Sequence, residues 1–446
     1  MKNMKIFSII AFFAALMLTQ SSCIKEYTDP SSLSSTQVVS STDGLVGLIN
    51  GLQLRYTVGR QSPLYQTISS SGLVTAELRS FTVGNVDEGN LFSGLASVTR
   101  SNGAVSQLWA QSFQMQVEAN LVLDNLAIVA DPKTKALIQA YAHFYKAASY
   151  GTLATFFEKT PITVGKNQPF VSREDALRAA VTLLEGAESV LSVFSDDAAG
   201  NTEITNLSTN KFVAGFSLRN SVRAYQARYN LMLKDYGKAL AAANKVILTT
   251  KSAFRFDAVN VNPVFFVSYS NDLNIGPNNK TMTLPGALAP DTLDKRLPFY
   301  LMAAAVTRIN LGASFFKTNT SDIPVYLPGE MTLIKAECLA QSDVGAAVTQ
   351  LNAIIKKKAA DDVWGVGADL AAGYTGAATK DAVLLEVYRQ RCIELFNLGL
   401  RLEDSRRFNR PGPDQPAATR ERGRNFFPYP QAERDNNTSI PDDPTL

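Results

Sequence analysis

The chain has 446 residues, of which 46% are apolar, and its formal net charge is +3. A chain of this length and composition can bury a sizeable core in one or two domains, which excludes disorder throughout. Its 43 basic and 40 acidic residues nearly cancel, so the charge does not indicate a nucleic-acid or polybasic membrane surface.

Residues 1–22 have the pattern of a secretory signal peptide. Lys2 and Lys5 precede an apolar stretch from Ile6 to Leu18, which is too short to be a stable membrane span. Its removal takes away two lysines and leaves a formal charge of +1. Cys23 follows two serines, as in a bacterial lipobox, although Gln20 stands where that motif usually has leucine. We expect Cys23 to be the lipid attachment site; the alternative is a secreted protein with an incidental cysteine.

Residues 23–41 are predicted to be a flexible tether. The segment from Pro30 to Ser41 is rich in serine and threonine, a composition typical of a linker. Ile24, Lys25, Glu26 and Asp29 resemble the acidic export signal of surface lipoproteins in Bacteroidota. The chain is therefore expected to begin as a lipid-anchored leash, followed by one helical domain over residues 42–446.

Apolar residues at spacings of three and four predict a succession of helices in the first half of that domain. Thr42 and Asp43 can cap the first helix, and residues 69–92 become irregular. The later signals are a long helix through Leu108 to Leu126, a turn at Asp131-Pro132, an antiparallel partner around 140–147, and a capping box at Ser172.

An internal repeat predicts how the helices stack. Asp235, Gly237, Ala239, Asn244 and Ile247 recur as Asp343, Gly345, Ala347, Asn352 and Ile355, each displaced by 108 residues. Two copies of one helix-turn-helix unit cannot bury their apolar faces alone, so they pack on neighbouring units. The predicted fold class is all-α, with tetratricopeptide-like stacked helical hairpins and a long irregular insertion at about residues 251–327.

The segment from Asp381 to Asn409 carries apolar residues at helical spacing as far as Leu402 and many charges between them. We expect one core-facing helix in which Arg391 is close enough to pair with Glu394, and Arg401 with Asp404. Prolines then favour an extended path over residues 411–430, and residues after Asn437 are expected to fray.

The sequence gives little support for catalysis. His143 is the single histidine and lies in a helical pattern, where a packing role is favoured over that of a base. Metal-binding, Walker A and dinucleotide motifs are missing, so no metal or cofactor is expected. Cys338 and Cys392 are predicted to be buried free thiols. Acidic pairs at 87–88 and 361–362 are read as solvated loop charges rather than a glycosidase pair.

Two loops combine aromatic rings with amides or charges. Sugars present apolar C–H faces and many hydroxyls, and this pairing of residue types suits both. The candidate substrate-binding residues are Arg79, Phe81 and Asn85 in the first loop and Tyr269, Asn271 and Asp272 in the insertion. The alternative is that the aromatic rings, including Phe265 and Phe266, pack the loops down.

The chain resembles the SusD/RagB family of outer-membrane nutrient-binding lipoproteins. Glu394, Gly399, Arg401 and Asp404, followed by residues 427–430 with Glu433 and Asn436, resemble the closing motif of that family. Trp109 and residues 118–120 resemble its first long helix. The motif departs from the family at Gln390, Leu398 and Ser405, changes that thin an expected ion-pair network.

The resemblance implies a cell-surface lipoprotein of the outer membrane, anchored by an acyl chain such as palmitate, that binds an oligosaccharide and is not an enzyme. It implies a SusC-like, TonB-dependent transporter as partner, for which the protein acts as a lid. Ligand contacts are expected in the same loop regions. Import of a peptide by this mechanism, a secreted helical-repeat scaffold that binds peptides, and a glycosidase are the other functions considered.

Overall fold

Helices dominate the computed structural model, which describes residues 38–270, 274–303, 309–310 and 314–446. The predicted signal peptide and Cys23 lie outside the described residues. The helices of five residues or more are α1 Thr42–Thr57, α2 Pro63–Val74, α3 Val86–Ser93, α4 Gly103–Asp124, α5 Pro132–Phe156, α6 Arg173–Val190, α7 Ala198–Ser208, α8 Leu218–Met232, α9 Tyr236–Lys245, α10 Arg296–Tyr300, α11 Pro328–Leu339, α12 Val344–Ile355, α13 Lys380–Glu394, α14 Arg401–Arg407 and α15 Gln431–Asn436.

The helices begin where the sequence places capping residues. Asp131 stands directly before Pro132, the first residue of α5, and accepts a hydrogen bond from the Thr134 amide at 2.8 Å. Ser172 caps α6 in the same way, as predicted. At α1 the cap is Ser41, whose hydroxyl accepts from the Gly44 amide at 3.0 Å, one residue before the predicted one.

The predicted repeat is present as two helical hairpins. Asp235 caps α9 by accepting from the Lys238 amide at 3.1 Å, and Asp343 caps α12 by accepting from the Ala346 amide at 2.9 Å. α8 packs on α9, α11 packs on α12, and α9 contacts α11. Together with α4, α5 and α6, these helices form one continuous stack, which confirms the all-α, tetratricopeptide-like fold.

The insertion between the two repeats leaves the stack and returns to it at one place. In the described residues, β4 (Ala253–Phe254) pairs with β8 (Ile323–Pro324), so the two ends of the insertion meet. The remaining strands are equally short: β1 Leu78–Ser80, β2 Lys159–Thr160, β3 Val171–Ser172, β5 Ile275–Pro277, β6 Met302–Ala303 and β7 Ile309–Asn310. All four pairs are antiparallel. A single helical turn at Pro263–Phe265 leads into a π-helical turn, Phe266–Ser270.

The hydrophobic core runs through the helical stack, with a second cluster between α11, α12 and α13. Cys338 and Cys392 are both buried and unbonded, as predicted. The length and apolar character that a membrane crossing requires are not found together in any described helix.

The C-terminal segment forms two helices rather than the predicted one. α13 ends at Glu394, and the chain turns through Asn397 and Gly399, which both have positive φ. A Cβ at Gly399 would lie 2.8 Å from the Thr67 side chain, so the turn packs directly on α2. The apolar residues at helical spacing therefore belong to one helix only as far as its end, next to Leu395.

The charges of this segment from Arg391 to Asp404 are buried, and their pairing differs from the prediction. Arg391 donates to Asp404 at 2.8 Å, whereas Glu394 accepts from Arg296 at 3.0 Å and from Lys357 at 2.5 Å. The Arg401 guanidinium lies over the Tyr388 ring, 5.7 Å from its centroid. Because the chain turns between α13 and α14, Arg391 meets Asp404, which is 13 residues further along the sequence. The predicted pairs were neighbours on one helix.

The end of the chain is held in place, so the prediction that it frays is wrong. Asp443 accepts from the Tyr429 amide at 3.1 Å and from Arg100 at 2.5 Å, which ties the tail to the start of α4. The segment 411–430 contains no helix, as predicted. Phe427 is fully buried against Phe156, with 5.2 Å between the ring centroids.

Candidate functional site

The pairing of β1 with β5 brings the two predicted binding loops to one place. Arg79 lies opposite Gly276 and Ser80 lies opposite Ile275. The pairing extends further, because the Phe81 amide donates to the Asn274 carbonyl at 2.8 Å. We call residues 78–82 and 274–277 the ribbon. The sequence predicted both loops, but it gave no sign that they hydrogen-bond to each other.

Arg79 and Phe81 form the aromatic and cationic part of the ribbon surface. Arg79 is exposed, and its guanidinium lies 5.2 Å from the Phe81 ring centroid and 6.0 Å from that of Phe92. A guanidinium at this distance is attracted to the ring and holds it in a defined orientation. Phe92, on α3, was not among the predicted residues, because its half-buried position depends on how α3 folds back.

Asn85 lies at the start of α3, a helix that replaces part of the predicted irregular loop. It occupies the N-cap position without making a side-chain cap bond, and its Nδ2 has no partner among the described residues. Arg60 donates to Glu88 on this helix at 3.1 Å, which fixes α3 beside α2. Because this Nδ2 is buried, Asn85 does not present its amide hydrogens at the surface.

The second loop approaches the ribbon from the insertion. The backbone of Tyr269 lies in the π-helical turn just before β5, and its side chain is outside the part described. Asn271 and Asp272 also lie outside the described residues. Asn274 continues into the ribbon and accepts at its Oδ1 from the Thr82 hydroxyl at 2.9 Å. Tyr269 is thus within five residues of the ribbon along the chain.

Hydrogen bonds hold the preceding turn, and one of its rings is about half exposed. Asn262 accepts from the Val264 and Phe265 amides at 3.1 and 3.0 Å, and its own amide donates to the Phe315 carbonyl at 2.9 Å. Phe266 follows on this turn with 48% of its surface exposed. Phe265, by contrast, is half-buried. The packing alternative of the sequence analysis therefore fits Phe265 better than Phe266.

The histidine and the two thiols of the helical domain are wholly or partly buried. Burial, together with a smaller effect of the nearby Lys146 cation, lowers the pKa of His143 to about 4. Burial raises the pKa of the Cys338 and Cys392 thiols to about 12, which disfavours the reactive thiolate. The described residues contain no group of three or more histidine, cysteine, aspartate or glutamate side chains that could hold a metal ion.

Solved structures with the same architecture come from Bacteroides. A SusD superfamily protein from Bacteroides thetaiotaomicron matches 91% of this chain and 100% of its own, with a TM-score of 0.69 and 14% identity. A putative sugar binding protein from Bacteroides vulgatus matches 90% of this chain and 98% of its own, with a TM-score of 0.67 and 15% identity. A SusD-like carbohydrate binding protein from the same species matches 82% and 83%, with a TM-score of 0.63 and 15% identity.

The similarity is one of structure and not of sequence. No family model matches the chain, and no curated protein is significantly similar to it in sequence. The matched structures nevertheless cover about nine tenths of the chain. The chain therefore has the SusD-like fold.

Proposed function

We propose that this protein binds an oligosaccharide at the ribbon and delivers it to a SusC-like, TonB-dependent transporter of the outer membrane. The observation that carries the proposal is the β1–β5 pairing, which joins two loops of sugar-binding composition. Relatives in fold are described as sugar or carbohydrate binding proteins, which supports the same ligand class.

The ribbon offers the contacts that a saccharide needs. A pyranose ring lays its C–H face on a flat aromatic ring, which Phe81 and Tyr269 supply in this proposal. Its hydroxyls would bond to the Arg79 guanidinium and to the amide of Asn271, while Asp272 would accept from a hydroxyl. Enclosure between this surface and the transporter would exclude water and strengthen each of these bonds.

Attachment to the membrane is assigned to Cys23. Acylation at this residue would leave the tether 24–41 between the lipid and α1, so the helical domain could move relative to the membrane. Such freedom suits a lid that opens to admit ligand and closes over the transporter. In this proposal binding and enclosure do the work, and no bond of the ligand is broken.

Binding assays on ribbon variants test the ligand site. Phe81→Ala and Tyr269→Ala are each expected to weaken oligosaccharide binding about five- to tenfold, because a stacking contact contributes on the order of 1 kcal/mol. Tyr374→Ala removes a half-buried ring outside the ribbon and is the matched control. Unaltered affinity in both ribbon variants, measured by calorimetry, would move the site elsewhere. Release of reducing sugars by the pure protein would favour a glycosidase instead.

A further inference from the structure

A second concave surface lies on the outer side of α4. It is an open groove of about 490 Å³ and shares no residue with the ribbon. Its walls come from α4, from the loop after β2 and from α15, with Trp109, Phe113, Val117, Thr163, Gln168 and Asn436 among its lining residues. A volume of this size falls within the range of small-molecule sites, roughly 300–1,000 Å³.

One wall of the groove is an aromatic ring that cannot move freely. The Trp109 ring stacks on Phe170 at 5.8 Å with 22° between the planes, and it meets Phe157 edge-on at 4.8 Å. Its Nε1 donates to the Glu433 carboxylate at 3.1 Å. The ring is 5% exposed and held in one orientation, so it forms a fixed wall beside Phe113.

The floor of the groove is an apolar row that the described residues leave uncovered. Ala110, Phe113 and Val117 follow one another on α4 at spacings of three and four, so they share one face of the helix. Val117 is 52% exposed, Ala110 is exposed and Phe113 is half-buried. The Phe113 ring lies 5.1 Å from that of Trp109, which extends the aromatic wall onto the floor.

One carboxylate lies among the polar groups that line the groove. The Thr163 hydroxyl donates to Gln168 Oε1 at 2.6 Å, and Asn436 Nδ2 donates to the Ala432 carbonyl at 2.7 Å. Gln168 Nε2 donates to the Lys166 carbonyl at 3.4 Å, so its second amide hydrogen and Asn436 Oδ1 remain for a ligand. Among the described residues, Glu433 is the one ionisable side chain that lines the groove, and its two oxygens accept from the uncharged Trp109 and Asn437 side chains. Its negative charge is therefore not neutralised, which disfavours an anionic ligand.

We propose that this groove is a second ligand site and that it takes a neutral pyranose unit. The apolar face of the sugar would lie on the row of Ala110, Phe113 and Val117, beside the buried Trp109, and its hydroxyls would bond to Gln168 and Asn436. An acidic sugar is disfavoured because its carboxylate would be partly desolvated near Glu433 without a counter-charge. The groove and the ribbon then hold two saccharide segments on one protein, each with its own aromatic contact.

The two tryptophans of the chain allow a direct test. Trp364→Phe removes the residue that packs on Phe315, outside the groove, and leaves Trp109 as the only tryptophan. The full-length mature protein with this change is titrated with neutral hexasaccharides of glucose, xylose and mannose and with a hexamer of galacturonic acid. We expect a saturable change in tryptophan emission with at least one neutral glycan and a weaker response to the acidic one.

Groove and ribbon variants in the same background separate this site from the proposed function. Phe113→Ala and Asn436→Ala should each raise, at least threefold, the ligand concentration that gives half of the maximal emission change. Asn436 is exposed, so its replacement should leave the fold intact. Phe81→Ala should leave the response unchanged even though it weakens ribbon binding. Absence of any emission change, a stronger response to the acidic hexamer, or a response lost in Phe81→Ala and kept in Asn436→Ala would overturn the second site.

Discussion

At the scale of single residues, buried charge determines how the protein responds to pH. Glu77 is almost completely buried beside the ribbon; it accepts from the Asn397 amide at 3.1 Å, and its second oxygen has no partner among the described residues. Burial raises the pKa of Glu77 to about 7, although Arg401 opposes the shift. Burial has the opposite effect on the base His143, whose pKa falls to about 4.

These two shifts predict opposing effects on stability. Between pH 4.5 and 7 the folded protein holds the Glu77 proton more tightly than the unfolded chain, so the free energy of unfolding falls as pH rises. Between pH 4 and 6.5 the unfolded chain binds a proton at His143 more readily, so the free energy of unfolding rises with pH. The two effects partly cancel in the native protein.

Single substitutions should reveal each effect. In Glu77→Gln the free energy of unfolding is expected to rise from pH 4.5 to 6.5 by on the order of 2 kcal/mol relative to the native protein. In His143→Gln it should fall by a similar amount over the same interval. Urea unfolding at several pH values measures both. Parallel pH curves for the native protein and both variants would contradict the assignment.

The turn between α13 and α14 depends on a single glycine. Gly399 has a φ of +82°, and an added Cβ would lie 2.8 Å from the Thr67 side chain. Gly399→Ala is therefore expected to destabilise the protein by about 2–4 kcal/mol, through both backbone strain and overpacking. Gly365 has a φ of +76° with open space around it, so Gly365→Ala should show only the backbone effect, about 1–2 kcal/mol. Chemical denaturation measures both variants. If the two lose the same free energy of unfolding, the contact of Gly399 with α2 makes no contribution.

At the scale of helices and strands, local signals in the sequence were sufficient for most boundaries. Asp131, Ser172, Asp235 and Asp343 each cap a helix, because a short acceptor side chain satisfies an amide that the first turn leaves free. The break after Glu394 was missed, because apolar residues continue at helical spacing through a turn that tertiary packing on α2 imposes.

The repeated caps give a prediction for the helical hairpins. Asp235→Ala and Asp343→Ala should each lower the free energy of unfolding by about 1 kcal/mol, because each leaves one amide of the first turn unsatisfied. Asp235→Asn and Asp343→Asn keep the acceptor and should stay within a few tenths of a kcal/mol of the native protein. Thermal or urea unfolding provides the comparison. If the alanine variants are as stable as the asparagine variants, the two aspartates do not stabilise the hairpins as helix caps.

The candidate site could be predicted by region but not by geometry. Arg79, Phe81 and Asn85 stand out in sequence because they combine an aromatic ring with polar groups in a loop. Their connection to the insertion rests on backbone hydrogen bonds between β1 and β5, which lie almost 200 residues apart and carry no sequence signature. Phe92 and the groove beside Trp109 were missed for the same reason, since both are created by packing between distant segments.

At the scale of the whole molecule, the helical stack is a support that presents loops, and the tether 23–41 is expected to carry it to a membrane. The resemblance in sequence motifs predicted the SusD-like fold, and structural similarity at low sequence identity confirms that fold. Lipid attachment and partnership with a transporter remain proposals that rest on the N-terminal pattern and on the fold.

Replacement of the proposed acylation site tests the anchor. Cys23→Ala should release the protein from the membrane fraction, because a tether without an acyl chain has no apolar group to insert. Cys338→Ala keeps Cys23 and should leave fractionation unchanged, since its thiol is buried in the helical stack. Immunoblots of membrane and soluble fractions make the measurement. Unchanged membrane fractionation of Cys23→Ala would refute lipid anchoring.

The most direct measurement of the central claim is isolation of the protein from its native outer membrane in mild detergent, with mass spectrometry of everything that co-elutes. We predict that a large TonB-dependent transporter and a bound oligosaccharide elute with it, and that Phe81→Ala retains less of the oligosaccharide but keeps the transporter. Recovery of the intact native protein only as a soluble monomer, with neither transporter nor glycan, would contradict the account.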